Sequence, residues 1–219
     1  MGRHLPFFIG PEGLVMVAEK ELSEERSIIV PAHTLVTERL VMRAPHADDI
    51  EKLVQLADNR RVAEMLARVP NPYSEKDARG FIDFAAKANG AIYALTLIEP
   101  GMRPGAGPAS GELIGVAGLE PRDHGLELGY WVGEPFWRQG FATEAAHALV
   151  DHGFRTTDVQ AIHAACRVIN PASRRVIHKC GFQYAGQGML NSLVAGRVPV
   201  ERYRLDRRTW ASLKSWRGV

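Results

Sequence analysis

The chain has 219 residues, 46% of them hydrophobic, and a formal net charge of +2. That length fits one ordinary domain with a short appendage, and no apolar run approaches the roughly 20 residues a membrane span needs. The two cysteines, Cys166 and Cys180, lack C-x-x-C spacing, which excludes a disulfide framework and points to a reduced, cytoplasmic setting.

The opening M-G-R-H-L-P-F-F-I-G-P has too short an apolar run for a secretory segment, and Gly2 lacks the Ser or Thr at position 6 that lipidation wants. The net charge hides an asymmetry. Residues 138–219 hold 13 Lys/Arg and 5 Asp/Glu, whereas residues 1–137 hold 14 and 20. A basic half of this kind suits a polyanionic ligand; a solvated, Arg-rich surface is the other reading.

Residues 1–33 form an N-terminal extension in which G-L-V-M-V-A and S-I-I-V predict two short strands, a possible hairpin. The main domain is expected over residues 34–210, with 211–219 as a C-terminal tail. It starts with the strand T-E-R-L-V-M-R. A helix follows in P-H-A-D-D-I-E-K-L-V-Q-L-A, where Ile50, Leu53, Val54 and Ala57 recur at i, i+3, i+4 and i+7. A short helix, R-R-V-A-E-M-L-A, leads to the break P-N-P, and Ser74 caps a third, S-E-K-D-A-R-G-F-I-D-F-A-A-K. Strands then take over: A-I-Y-A-L-T-L-I-E, G-E-L-I-G-V-A-G-L-E and G-L-E-L-G-Y-W-V, three in a row with antiparallel spacing. Gly105 and Gly107 sit between Pro104 and Pro108 in a loop joining two strands, so this G-x-G reads as a mobile hairpin loop and not as a dinucleotide turn. After a long helix from Glu144 come the strand A-I-H-A-A-C-R-V-I-N, the helix P-A-S-R-R-V-I-H-K-C and a final strand pair near 183–190 and 200–204.

The most informative stretch is L-E-L-G-Y-W-V-G-E-P-F-W-R-Q-G-F-A-T, residues 126–143. Leu126, Leu128, Tyr130 and Val132 share one strand face, and a Gly-containing turn then opens a helix. First-turn amides have no intrahelical acceptor and the helix dipole is positive there, so the turn is built to hold a phosphate. Gly140 lets the backbone approach an anion closely. No metal is expected: His147 and His152 are five apart, and neither H-E-x-x-H nor a thiolate cluster is present.

Three blocks in this order, T-E-R-L-V-M-R-A, E-L-G-Y-W-V-G-E-P-F-W-R-Q-G-F-A-T-E-A and N-P-A-S-R-R-V-I-H-K-C-G-F, resemble the GNAT N-acetyltransferase superfamily, and more narrowly its RimJ/RimL type. The resemblance spans about residues 35–208. It implies an α+β fold, the GNAT fold: a mixed, mostly antiparallel sheet of about seven strands with helices on both faces and splayed central strands. It also implies acetyl-CoA as co-substrate, its pyrophosphate wrapped by the amides of 138–143, that is Arg138, Gln139, Gly140, Phe141, Ala142 and Thr143. The family turn usually begins with Gln or Arg; here that position is Trp137. Gly129 marks a bulge or close approach within its strand. By the resemblance, the neighbouring strand splays away there, and Trp131 and Val132 present backbone groups to the pantetheine arm. Asn170 has two readings, an N-cap before Pro171 and a pantetheine contact, with Ser173 near the CoA sulfur.

Acetyl transfer to an amine needs a neutral nucleophile, a stabilised oxyanion and a protonated leaving thiolate. A backbone amide of Trp131 or Val132 is the candidate oxyanion donor. Glu127, on the strand face of Gly129 and Trp131, is the candidate general base through water; an exposed strand carboxylate is its plain alternative. The phenol that many relatives place seven residues after the Asn is Ile177 here; the RimJ/RimL resemblance implies Ser173 as the acid, with Tyr184 the reserve. The implied function is an acetyl-CoA-dependent N-acetyltransferase acting on a peptide N-terminus or a small amine, in a possible homodimer, with neither nucleic acid nor membrane as partner. The alternative is a non-catalytic acyl-CoA-binding module that regulates a partner through residues 1–33. A nucleotide-binding α/β protein fails for want of a Walker lysine.

Overall fold

Alternating apolar residues build an eight-stranded sheet in the computed structural model, which describes residues 28–30, 32–98 and 111–217. Its strands are β1 (Leu35–Val36), β2 (Leu40–Arg43), β3 (Ala91–Leu97), β4 (Leu113–Arg122), β5 (Gly125–Val132), β6 (Ala161–Arg167), β7 (Gln183–Ser192) and β8 (Gly196–Asp206). They stand in the order β1-β2-β3-β4-β5-β6-β8-β7. Neighbouring pairs are antiparallel except β5 and β6. The helices are α1 (Ile50–Ala57), α2 (Arg60–Ala63), α3 (Glu75–Lys87), α4 (Phe141–Thr156), α5 (Pro171–Lys179) and α6 (Arg207–Arg217). This is the α+β architecture expected. The eighth strand is β1, whose two residues are too few to show alternation.

Strand alternation sorts the side chains of β5 into two cores. Leu126, Leu128 and Val132 join α4, through Ala145, Ala146, Leu149, Val150 and Phe154. Trp131 faces the other way, into a core with Leu53 and Leu56 of α1 and Ala78 and Phe81 of α3. Helices therefore cover both faces. Ser74 caps α3 as expected, within a reciprocal capping box with Asp77.

The parallel pair determines the site. A parallel connection needs a crossover, and α4 supplies it. Yet β5 and β6 pair only at Leu126↔Ile162, Glu127↔His163 and Leu128↔Ala164. Beyond that, residues 129–132 stay paired with β4 and residues 165–167 with β8, but not with each other. A V-shaped gap opens in mid-sheet.

The segment expected as a tail from residue 211 lies inside α6, which docks on α4: Trp210 stacks on Phe154 with centroids 5.1 Å apart, and its indole donates to Asp151 at 2.8 Å. Of the predicted N-terminal hairpin, the first strand lies outside the described residues. Residues 28–30 are not a strand, although the Val30 amide bonds the Asn89 carbonyl at 3.0 Å. The Gly105–Gly107 loop also lies outside the described residues. No helix among the described residues is long and apolar enough to cross a membrane.

Leu126 is fully buried at the closed root of the V. Leu126→Ala is expected to destabilise the fold by about 2–5 kcal/mol, measured by urea unfolding. A loss under about 1 kcal/mol would show that the root does not carry the packing assigned to it.

Candidate active site

A cavity of about 870 Å³ follows the V from the start of α4 to the segment after α2. At one end lies the Gly turn. Arg138 and Gly140 both take left-handed backbone, with φ of 64° and 88°. Gly140 caps α4, and its carbonyl accepts from the amides of Thr143 (3.0 Å) and Glu144 (3.1 Å). Thr143's amide is therefore committed, and the helix end offers an anion the amides just before it, those of Phe141 and Ala142. Gln139 does not line the cavity: its side chain donates to the Pro135 carbonyl at 3.2 Å and staples the turn. Arg138 is exposed and has no ion-pair partner among the described residues.

The turn is braced from the segment between β1 and β2, a contact that sequence reading missed. Glu144 accepts from the Thr37 hydroxyl (2.6 Å), the Arg39 amide (2.8 Å) and Arg39 Nε (2.7 Å). Arg39 Nη1 also donates to the Gln139 carbonyl at 2.9 Å, and its guanidinium lies 4.5 Å from the Phe141 ring centre. Burial pushes the Glu144 carboxyl up, but these bonds outweigh it and hold the group below its ordinary range.

In the middle of the gap, backbone direction separates two residues that sequence reading treated alike. The Gly133 amide bonds the Ile114 carbonyl of β4 at 2.8 Å. Alternation then directs the main-chain groups of Trp131 at β4 as well, and those of Tyr130 and Val132 into the gap. The Val132 carbonyl is already taken by the Trp137 indole at 2.6 Å, which gives the unusual Trp137 a structural role. Trp131 meets the cavity through its side chain instead; its indole nitrogen is buried without a partner among the described residues.

Across the gap, Asn170 lines the cavity and caps α5 by accepting from the Ser173 amide at 3.0 Å. Ser173 Oγ sits 2.9 Å from the Tyr130 hydroxyl, which also reaches the Ser173 carbonyl at 3.2 Å. Burial pushes the Tyr130 phenol well above its ordinary range, so it remains a neutral hydroxyl. Tyr130 had read only as one apolar-face residue of its strand. Tyr184, the reserve acid, is 55% exposed, packs edge-on against Tyr203 and does not line the cavity.

At the other end, Glu127 lines the cavity and is only 6% exposed. It faces Glu120 of β4 in register, and Arg122 bridges the two, at 3.3 Å to Glu127 and 2.8 Å to Glu120. Burial drives both carboxyls up against the pull of Arg122, Glu120 to about 7. Glu120 was missed, although a hairpin centred on Asp123 and His124 brings residues 120 and 127 into register. Arg68, after α2, completes the group; burial lowers it to about 10. Among the described residues, no three His, Cys, Asp or Glu gather as a metal site.

A family model, the acetyltransferase (GNAT) domain, matches residues 39–183, and the chain belongs to that family. It is 26% identical over 186 residues to the uncharacterized N-acetyltransferase p20 of Bacillus licheniformis, covering 81% of this chain and 98% of that one. It is 36% identical over 78 residues to the ribosomal-protein-serine acetyltransferase of Escherichia coli, covering 34% and 44%. Among solved structures, a GNAT-family acetyltransferase from Bacillus anthracis superposes with a TM-score of 0.68 at 21% identity, covering 80% of this chain and 99% of that one. The spermidine N-acetyltransferase of Vibrio cholerae, solved with CoA and spermine, gives 0.63 at 19%, covering 80% and 99%. The fold is the GNAT fold, the RimJ/RimL likeness holds at a distance, and the chain is a GNAT-family N-acetyltransferase, a family whose solved neighbours bind acetyl-CoA or CoA.

Two measurements follow from this geometry. A β-carbon at Gly140 would force left-handed strain and come 3.3 Å from Arg39 Nη2. Gly140→Ala is expected to cost about 1–2 kcal/mol and to weaken acetyl-CoA binding several-fold by calorimetry. Unchanged affinity would remove the turn from the binding site. Glu120 sets a pH dependence. Its carboxyl ordinarily titrates near 4.5 and here near 7, so between those values the folded chain holds a proton that the unfolded chain has released. The stability contributed by protonated Glu120 is complete below about pH 4.5 and lost as pH rises through about 7. Glu120→Gln should flatten the fall in urea midpoint across that window; an unaltered slope would contradict the assignment.

Proposed function

We propose that this protein transfers an acetyl group from acetyl-CoA to a primary amine by direct attack in a ternary complex, with Glu127 as general base and Ser173 as general acid. The observation that carries the reading is the unpaired stretch between β5 and β6, which opens on the α4 N-terminus at one end and on buried Glu127 at the other. The phosphate end fits a pyrophosphate through the amides of residues 138–142 and the Arg138 cation. The gap fits a pantetheine arm through the main-chain groups of Tyr130, the Val132 amide and the Asn170 side chain.

Acetyl-CoA supplies the thioester; the chain's own residues handle the protons. Burial makes Glu127 a stronger base than an exposed carboxylate, which suits withdrawal of an ammonium proton through water. An α-amine, with a pKa of about 7.7–8.0, needs less help than a lysine-like amine near about 10.4. Ser173 Oγ, linked to the neutral Tyr130 hydroxyl, is suited to returning a proton to the leaving thiolate. The gap-facing Val132 amide is the candidate oxyanion donor, in preference to Trp131, whose amide is directed at β4.

The test is acceptor-dependent release of free CoA thiol. Glu127→Gln is expected to lower kcat by about 10²–10⁴-fold with the acetyl-CoA Kd unchanged, and Ser173→Ala to lower it less. Full turnover in Glu127→Gln would remove Glu127 from the chemistry.

A further inference from the structure

Among the described residues, three buried side-chain atoms without a hydrogen-bond partner belong to residues that line the cavity: Arg68 Nη1, Trp131 Nε1 and Arg167 Nε. All three are N–H donors. A shielded donor without an acceptor is unfavourable, more so when charged. A wall whose unmet atoms are all donors is completed by a ligand that brings acceptors.

The three donors share a location. Trp131 and Glu127 lie on one face of β5, and the register Glu127↔His163 puts Arg167 on that same face of β6. Arg167 Nη1 donates to the Glu64 carbonyl, which places it against the segment that also carries Arg68. Arg68 in turn interacts electrostatically with Glu127 and Glu120. The donors thus share the sheet face of Glu127, opposite that of Tyr130, and Arg68 is the one that interacts with Glu127 directly. They belong to the acceptor end.

Charge points the same way. On this face Arg68 and Arg167 line the cavity with Glu64 and Glu127, whereas Arg61 is paired with Glu134 and Arg138 stands at the other end. Near Glu127, Arg122 is already bonded to both acidic partners. An acceptor with several cations would find one carboxylate among guanidinium groups. An acceptor that carries its own oxyanion would match them, since guanidinium forks bind carboxylate and phosphate through paired N–H groups.

We propose that the acceptor is a small amine with an oxyanion a few atoms from its nitrogen, a carboxylate as in an α-amino acid or a phosphate as in an aminoalkyl phosphate. Arg68 and Arg167 hold the oxyanion while Glu127 faces the amine. The inference rests on the acetyltransferase reading above and leaves its chemistry unchanged. The amine nitrogen bonds the acetyl carbon, the carbon–sulfur bond breaks with its electron pair on sulfur, Glu127 removes a nitrogen proton and Ser173 protonates the thiolate.

The experiment measures kcat/KM by thiol release on the full chain with matched acceptors: L-phenylalanine and phenethylamine, L-lysine and cadaverine, O-phosphoethanolamine and ethanolamine, with spermidine and a free-N-terminus peptide amide alongside. The oxyanion-bearing member of a pair is expected to lead by about tenfold to a hundredfold. The carboxylate and phosphate pairs separate the two sources. Arg68→Gln should collapse that lead mainly through KM, with the acetyl-CoA Kd and thermal midpoint unchanged, and Arg68→Lys should restore part of it. Equal or faster turnover of the stripped amines, spermidine or the peptide amide overturns the inference alone, as does an unchanged preference in Arg68→Gln. Acetyl-CoA binding without turnover of any acceptor overturns both this inference and the reading beneath it.

Discussion

The site depends on a failure of strand pairing. β5 is held by β4 from Gly125 to Val132, and β6 by β8 along its whole length. Each central strand therefore has one saturated edge, and only three residue pairs join the two. Once they part, every main-chain group in the gap is one that the fold has left for something else. The Trp137 indole satisfies the Val132 carbonyl, and the Tyr130 hydroxyl reaches across to Ser173 at the start of α5. These contacts hold the gap at a fixed width without closing it. Buried backbone groups seldom remain unpaired, so such a gap is strong evidence for an extended ligand that completes it.

The proposed phosphate end uses the opposite strategy, offering backbone amides and the exposed Arg138 cation while its other side chains serve as scaffolding. A helix N-terminus attracts anions whatever its sequence, but only if the turn before it keeps its shape. Here that shape comes from a left-handed Gly140, a Gln139 staple and the Arg39–Glu144 brace. Glu144 would by itself compete with a phosphate for the helix end. Bound to Thr37 and Arg39, its charge is neutralised and it anchors α4 to the sheet instead.

This division explains what the sequence disclosed. The strand–turn–helix around Gly140 and the Asn170 cap were legible because local chemistry defines them: a glycine where φ is positive, an Asn-Pro where a helix begins. T-E-R-L was legible as a motif but not as a brace, because its partner lies more than 100 residues away. Tyr130 could not be separated from its apolar neighbours, since period-two alternation gives direction but not the group it meets 43 residues on. Glu120 was within reach, because the hairpin around Asp123 and His124 fixes its register. Arg68 was not: only the fold brings the segment after α2 over β4 and β5.

The acceptor end is costly for the fold. Two carboxylates and two guanidinium groups share a poorly hydrated corner, where burial above all, and the neighbouring Glu127, push the Glu120 carboxyl up. Buried charges of this kind contribute little net stability, because desolvation offsets their attraction. Apolar residues at 120 and 122 would pack there as well as the rest of β4. Charge in that corner is better explained by what it does to Glu127. A carboxylate that must accept a proton needs burial to raise its basicity and a counterion to keep it ionised. Arg122 supplies the second without entering the cavity, and the unmet donors of Arg68 and Arg167 are the ones the proposal assigns to the acceptor.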